Sequence, residues 1–143
     1  MAAAVRCRVP RTAPRIVSIA DEAVEAVPGD LVADLCAAPG KSLVFTRTKH
    51  GARKLTLALV KAGVPSVELH GDLSQVVRAR NLAAFANGKA DTLVATDIAA
   101  RGIHVDDVAI VIHADPPRDL ETYTHRSGRT GRAGRKGQSL VIV

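Results

Sequence analysis

The residues with the greatest capacity for chemistry lie in one stretch, His125-Arg126-Ser127-Gly128-Arg129-Thr130-Gly131-Arg132-Ala133-Gly134-Arg135-Lys136-Gly137, which carries five cations and no acid. Arg126, Arg129 and Arg132 recur at every third position, as do Gly128, Gly131 and Gly134. If the segment starts as a helix, that spacing sets neighbouring arginines on adjacent parts of one face. The glycines lack Cβ atoms, so a ligand or another backbone can come close. The planar five-donor fork of arginine matches phosphate oxygens, and a cluster this dense invites a polyanion. The plain alternative is a solvated basic loop following a helix.

Three further groupings carry polar chemistry. Thr96-Asp97-Ile98-Ala99-Ala100-Arg101-Gly102 offers a hydroxyl and free N–H groups, able to hold a phosphate if residues 97–101 form a short helix. Its alternative is a strand-to-helix cap in which Asp97 holds backbone amides. His70-Gly71-Asp72-Leu73-Ser74-Gln75-Val76-Val77-Arg78 sets Gln75 and Arg78 one helical turn apart near a helix start. Arg78 there can meet a backbone phosphate, or the stretch is an ordinary cap with a surface arginine. In Ser42-Leu43-Val44-Phe45-Thr46-Arg47-Thr48, Phe45 reads as core, while Arg47 and Thr48 stand at the edge.

The elements that must position these groups can be read from apolar pattern and punctuation. Residues 42–46, 66–69, 92–95, 108–113 and 139–143 read as strands, and 15–19 as a further short one. Asp30 to Cys36 reads as a capped helix closed by Pro39-Gly40. Lys49 to Ala62 is helical, with Leu55, Leu59 and Ala62 inward and Gly63 as the stop. Ser74 caps a helix to about Asn87, and Asp119 opens one that runs into the arginine stretch. Alternating strands and helices imply an α/β fold, a parallel sheet covered on both faces. In such sheets ligands sit at the carboxyl ends of strands. Thr46-Arg47-Thr48, His70-Gly71-Asp72, Thr96-Asp97 and His113-Ala114-Asp115 all fall at those ends.

At 143 residues the chain suits one domain with a real core, and with aromatics at 2% that core must be aliphatic. The scarcity of aromatics argues against recognition by base stacking. A net charge of +6 favours an anionic partner without selecting one. Cys7 and Cys36 lack metal-ligand spacing, so reduced thiols in a cytoplasmic protein are expected. No apolar run approaches membrane-spanning length, no secretory signal is evident, and no membrane role is expected. Residues 1–29, rich in arginine and proline, read as a poorly defined basic segment or linker.

Taken in order, the motifs resemble those of the DEAD-box RNA helicases. His125-Arg126-Ser127-Gly128-Arg129-Thr130-Gly131-Arg132 is similar to motif VI of that family, and its initial His separates it from the DEAH and RecQ-like groups. Residues 94–102 resemble motif V, residues 42–48 motif IV, and residues 70–78 the His-Gly-Asp and Gln-x-x-Arg signatures. The resemblance is strong from about residue 42 to 143 and fades before residue 30. It implies that residues 30–143 form the C-terminal RecA-like domain of an ATP-dependent RNA helicase, a single domain with helices sandwiching a parallel sheet. It also implies that the first RecA-like domain belongs to a longer polypeptide of which this chain is a fragment. Ala38-Pro39-Gly40-Lys41-Ser42 has the end of a phosphate loop without its leading glycine, and no Asp-Glu-Ala-Asp occurs.

By the same resemblance, Arg129 and Arg132 are arginine fingers toward ATP, and His125 couples the site to the other domain. Asp97, Gly102 and the residue after Ile103 lie on the nucleotide. That residue is His104 where the family has Asp, which puts ribose contact in doubt and leaves Asp106 or Asp107 as substitutes. Arg47, Thr48, Gly71, Gln75, Arg78 and Thr96 face the RNA backbone. ATP and Mg2+ are the implied cofactors, with the metal's ligands on the first domain; RNA and that domain are the implied partners. The isolated chain is expected to be inactive. Two other readings stay open: a non-catalytic basic RNA-binding or docking domain, and a DNA-directed superfamily 2 helicase domain.

Overall fold

A computed structural model of the chain describes residues 15–17, 29–36, 40–101, 105, 108–115, 117–130 and 138–142. Among these residues six strands, β1 (Arg15–Val17), β2 (Ser42–Thr46), β3 (Ser66–Leu69), β4 (Thr92–Thr96), β5 (Ile110–His113) and β6 (Gln138–Ile142), make one sheet. Their order is β1-β6-β5-β2-β4-β3 and every pairing is parallel. Among the described residues five helices accompany them: α1 (Gly29–Cys36), α2 (Lys49–Lys61), α3 (Gln75–Ala86), α4 (Asp97–Ala100) and α5 (Leu120–Ser127).

The central strands β2, β4 and β5 are largely apolar and buried along their whole length because both faces of the sheet are covered there. Val44, Val94, Ile110, Ile112 and Leu140 turn to one face, against Val32 and Leu35 of α1 and Ala52, Leu55 and Leu59 of α2. Leu43, Phe45, Leu69, Leu93, Ala95 and Val111 turn to the other, against Phe85 of α3 and Ala99 and Ala100 of α4. Each fully buried Leu or Val there contributes about 1.5–3 kcal/mol of transfer free energy, so the aliphatic core suffices without Trp. Cys36 is a free thiol sealed under α1, and burial pushes its pKa up; Cys7 lies outside the described residues.

Local chemistry sets the boundaries. Thr48 caps α2 by accepting the Gly51 N–H at 2.9 Å, and Gly63, at φ +88°, ends it. There Gly63 N–H donates to Val60 O and Val64 N–H to Leu59 O, the paired bonds of a Schellman turn. Ala62, expected to face inward, is instead the exposed C-cap, because the helix stops at Lys61. Ser74 and Asp119 cap α3 and α5 as expected, accepting from Val77 and Thr122.

Three further expectations need correction. Asp30 lies inside α1, which starts at Gly29, instead of capping it. β5 begins at Ile110 because Ala109 and Ile110 both donate to Lys41 O, while Val108 makes a separate bridge to Thr130. α5 stops at Ser127 with Gly128 as cap, so the helix ends between Arg126 and Arg129, and they do not share its face. Apart from β1 and Gly29, the basic segment at residues 1–29 lies outside the described residues.

Candidate functional site

The chain runs out to the sheet edge at β3, returns to β4, and then crosses β2 to place β5 on its far side. Thr46 pairs with Thr96, and Phe45 with both Ala95 and His113, so the ends of β4, β2 and β5 lie side by side. This reversal of strand order is where open α/β sheets form crevices.

Arg126 organises the crevice. It projects from the last turn of α5 yet is only 3% exposed. Its Nε donates to Asp97 Oδ1 at 2.6 Å and its Nη2 to Asp97 Oδ2 at 2.7 Å, a fork-to-fork pair. Nη1 donates to Asp115 O at 2.9 Å and lies 3.4 Å from His113 Nδ1. The guanidinium also sits 5.2 Å from the centre of the Phe45 ring. Four elements, β2, β5, α4 and α5, therefore meet on one cation.

His113 lies behind it, fully buried and stacked on Tyr123 at 5.1 Å and 14°. Its Nε2 is 3.0 Å from Ser139 Oγ and 3.4 Å from Ser127 Oγ, and the two serine hydroxyls are 2.8 Å apart. Burial first, and the Arg126 charge second, push its pKa down to about 3. On the other flank Asp115 Oδ2 accepts the Arg47 backbone N–H at 2.6 Å, tying the end of β2 to that of β5.

In front of this buried layer is an open recess lined by Phe45, Asp97, Ala100, Arg101, Arg118, Thr122, His125, Arg126 and Arg129. Arg129 is half-buried, and its Nη2 donates to Ala100 O at 3.4 Å. Its backbone is fixed from two sides, by donation to Arg126 O and by acceptance from Val108 N–H. His125 is exposed, with Nε2 at 3.7 Å from Glu121 Oε1 one turn earlier, a separation worth little in solvent.

The expected RNA-facing residues spread along the same edge. Thr96 is the cap residue of α4 and is nearly buried, but its hydroxyl caps nothing. Asp97 holds Arg126 and not the backbone amides its cap reading called for. Thr48 is committed to the α2 cap, and Arg47 is exposed beside it. Gly71 and Gln75 are exposed, and Arg78 is half-buried on α3. The Gly71 turn is built by His70, which is buried, accepts from Asp72 N–H at 3.3 Å and bonds Glu68 at 3.1 Å. Asp72 bonds Lys49 at 2.9 Å, and that bond holds its carboxyl below the usual range. Arg132, Gly102 and His104, with Asp106 and Asp107, lie outside the described residues. Among the described residues no group of three His, Cys, Asp or Glu side chains could hold a metal ion.

Sequence reading placed His113 and Asp115 at the polar strand ends and Arg126 in the arginine stretch, but assigned none of the three a role in the site. The signal was present: a histidine within the apolar run Val111-Ile112-His113-Ala114 must find partners once buried.

The helicase conserved C-terminal domain family matches residues 27–134. The chain is 50% identical over 103 residues to the DEAD-box ATP-dependent RNA helicase 9, mitochondrial, of Arabidopsis thaliana, covering 72% of this chain and 17% of that protein. It is 51% identical over 102 residues to the ATP-dependent RNA helicase RhlB of Shewanella sediminis, covering 71% of this chain and 23% of that one. Among solved structures, the E. coli DEAD-box protein SrmB bound to regulator of ribonuclease activity A superposes with a TM-score of 0.76 at 39% identity, over 80% of this chain and 69% of that chain. The C-terminal domain of the DEAD-box protein Dbp5 gives 0.71 at 36%, over 80% and 68%. The chain belongs to the DEAD-box helicases, as their C-terminal RecA-like domain. It spans between 12% and 24% of the length of the curated relatives it matches.

Proposed function

We propose that this chain is the C-terminal half of an ATP-driven RNA helicase, and that it closes on a first RecA-like domain of the same protein. ATP then lies between the halves, and Arg129 and Arg132 reach its γ-phosphate. The observation that carries this reading is the recess at the carboxyl edge of β4, β2 and β5, where Arg101, Arg118 and Arg129 line an opening above the sealed Arg126. Cations held on a rigid floor stabilise charge that develops in phosphoryl transfer without reorganising. Asp97 serves the nucleotide through the guanidinium it orients, Gly102 and His104 contact the nucleotide, and His125 at the exposed end of α5 couples the recess to the other domain.

Both oxygens of Asp97 accept from Arg126, and Asp115 accepts from Arg47, so these carboxylates make a poor magnesium set. The ligands of Mg2+ are therefore assigned to the first domain. RNA runs along the strand ends past Arg47, Thr48, Gly71, Gln75, Arg78 and Thr96. The space around the Gly71 α-carbon is open, so a phosphate can approach its backbone. Contacts to phosphate and sugar alone imply little sequence preference, and holding one strand bent opens a duplex locally.

Turnover of ATP, with and without RNA, tests the reading on this chain alone and on the protein that joins it to its first domain. The chain alone is expected to be silent and the joined protein to be RNA-stimulated. Replacing Arg129 by Ala should lower kcat by roughly a thousandfold, the smaller end of what an arginine finger contributes. Undiminished turnover in that variant and in Arg132→Ala would refute the finger assignment.

A further inference from the structure

The buried histidine of β5 has a place in this design that neither the motifs nor the family assignment supplies. A guanidinium can only donate. His113 Nδ1, 3.4 Å from Arg126 Nη1, must therefore be the unprotonated acceptor, and Nε2 carries the proton. That proton points at Ser139 Oγ and Ser127 Oγ. One ring thus holds two consecutive residues at the end of α5, Arg126 through one nitrogen and Ser127 through the other. Arg129 N–H donates to Arg126 O, and Thr130 N–H donates to Ser127 O. The turn that launches Arg129 toward the recess hangs from those two residues.

We infer that His113, as the neutral Nε2–H tautomer, is a positioning residue that fixes the C-terminal turn of α5 and through it the reach of Arg129. The groups facing the ring from every packed element agree. Phe45 of β2 and Tyr123 of α5 enclose it, Arg126 allows no second cation beside it, and Ser139 of β6 with Ser127 accepts its proton. Asp97 of α4 favours a cation, yet its two oxygens are already taken by Arg126. The low pKa follows from the same enclosure. The inference rests on the finger reading only for its catalytic consequence.

Two measurements test it separately. On this chain, nitrogen-15 NMR of the imidazole should show protonated Nε2 and bare Nδ1, unchanged from pH 8 to pH 5. A protonated Nδ1, or a titration midpoint near 6.5, overturns it. On the protein joined to its first domain, His113→Leu should lower kcat about tenfold, the size of one lost hydrogen bond to a charged group, with KM for ATP within about twofold. His113→Asn, which keeps an acceptor where Nδ1 stood, should recover most of that loss. In this chain, amide exchange at Arg129 and Thr130 should quicken in the Leu variant and recover in the Asn variant. If Arg129→Ala leaves turnover intact, the finger reading fails while the tautomer and exchange data still decide the role of His113. Unchanged exchange in His113→Leu, or equal loss in both variants, refutes the positioning.

Discussion

The pair between Arg126 and Asp97 gives the sharpest energetic test of this site. Arg126→Met keeps the stem and removes the fork. The Asp97 side chain is 25% exposed and can recruit water, so the cost should fall near the lower end for breaking a buried pair, about 3 kcal/mol. Asp97→Asn is different, because it strands a guanidinium that is 3% exposed and cannot lose its proton. An amide returns one acceptor and turns its own donors toward the remaining N–H, so about 4–5 kcal/mol is expected. The double variant leaves no buried charge and should cost about 4 kcal/mol, some 3–4 less than the sum, within the range measured for close charge pairs. A chain of this size has roughly 7–15 kcal/mol to lose, so the variants should still fold. Urea unfolding followed by circular dichroism at pH 7, with the slope held common, measures all four corners of the cycle. High salt should leave the coupling largely intact, since buried pairs are poorly screened. Additive costs, with coupling below about 0.5 kcal/mol, would mean that the pair does not form and that the site lacks its floor.

Acid should act through His113. Its folded pKa, about 3, lies below the usual 6.5, so its contribution is whole above pH 6.5 and is lost as pH falls toward 3. Between pH 6.5 and 4.5 the loss approaches about 3 kcal/mol, or roughly 1.4 per pH unit. Urea midpoints should fall steeply over that range in the native chain and less in His113→Asn. The carboxyls of Asp72 and Asp119, both held low, lose their contributions only as pH drops below 3.8. Gly40→Ala should cost more than Gly63→Ala in the same assay. Both have positive φ, at +105° and +88°, but a Cβ at Gly40 meets Ala109 Cβ at 2.7 Å whereas Gly63 opens on solvent. The Gly63 change should cost about 1 kcal/mol and the Gly40 change at least twice that. Asp119→Ala removes the acceptor for Thr122 N–H and should lower the urea midpoint.

The sheet was legible because burial on both faces writes its central strands as apolar runs, and the helices because Ser74 and Asp119 cap two of them and Gly63 and Gly88 stand at two of their ends. Strand order was legible only as a class, since nothing local in residues 92–96 says that they pair with β2 and β3 at once. The polar edge was visible as a coincidence of strand ends. Its internal division was not. Asp97 and Arg126 are 29 positions apart, and an ion pair at that separation has no local signature. Asp115 offered no hint either, because its partner is the backbone N–H of Arg47, identical in kind to any other.

The repeat of arginines at every third residue misled for a definite physical reason. Such spacing reads as one face only while a helix continues, and α5 ends at Ser127, between the first arginine and the second. On the helical side, a last-turn side chain lies back over the preceding turn, which brings Arg126 onto Phe45, His113 and Asp97. Past Gly128 the chain is held by the Val108–Thr130 bridge, and Arg129 lines the recess. Adjacent cations in one motif thus take opposite tasks. Arg126 is spent on fixing the floor, and Arg129 is set beside the opening where the proposed nucleotide would lie. That division makes the motif intolerant of exchange between its own arginines: a lysine at Arg126 cannot span both oxygens of Asp97, whereas at the recess it would still bring a charge.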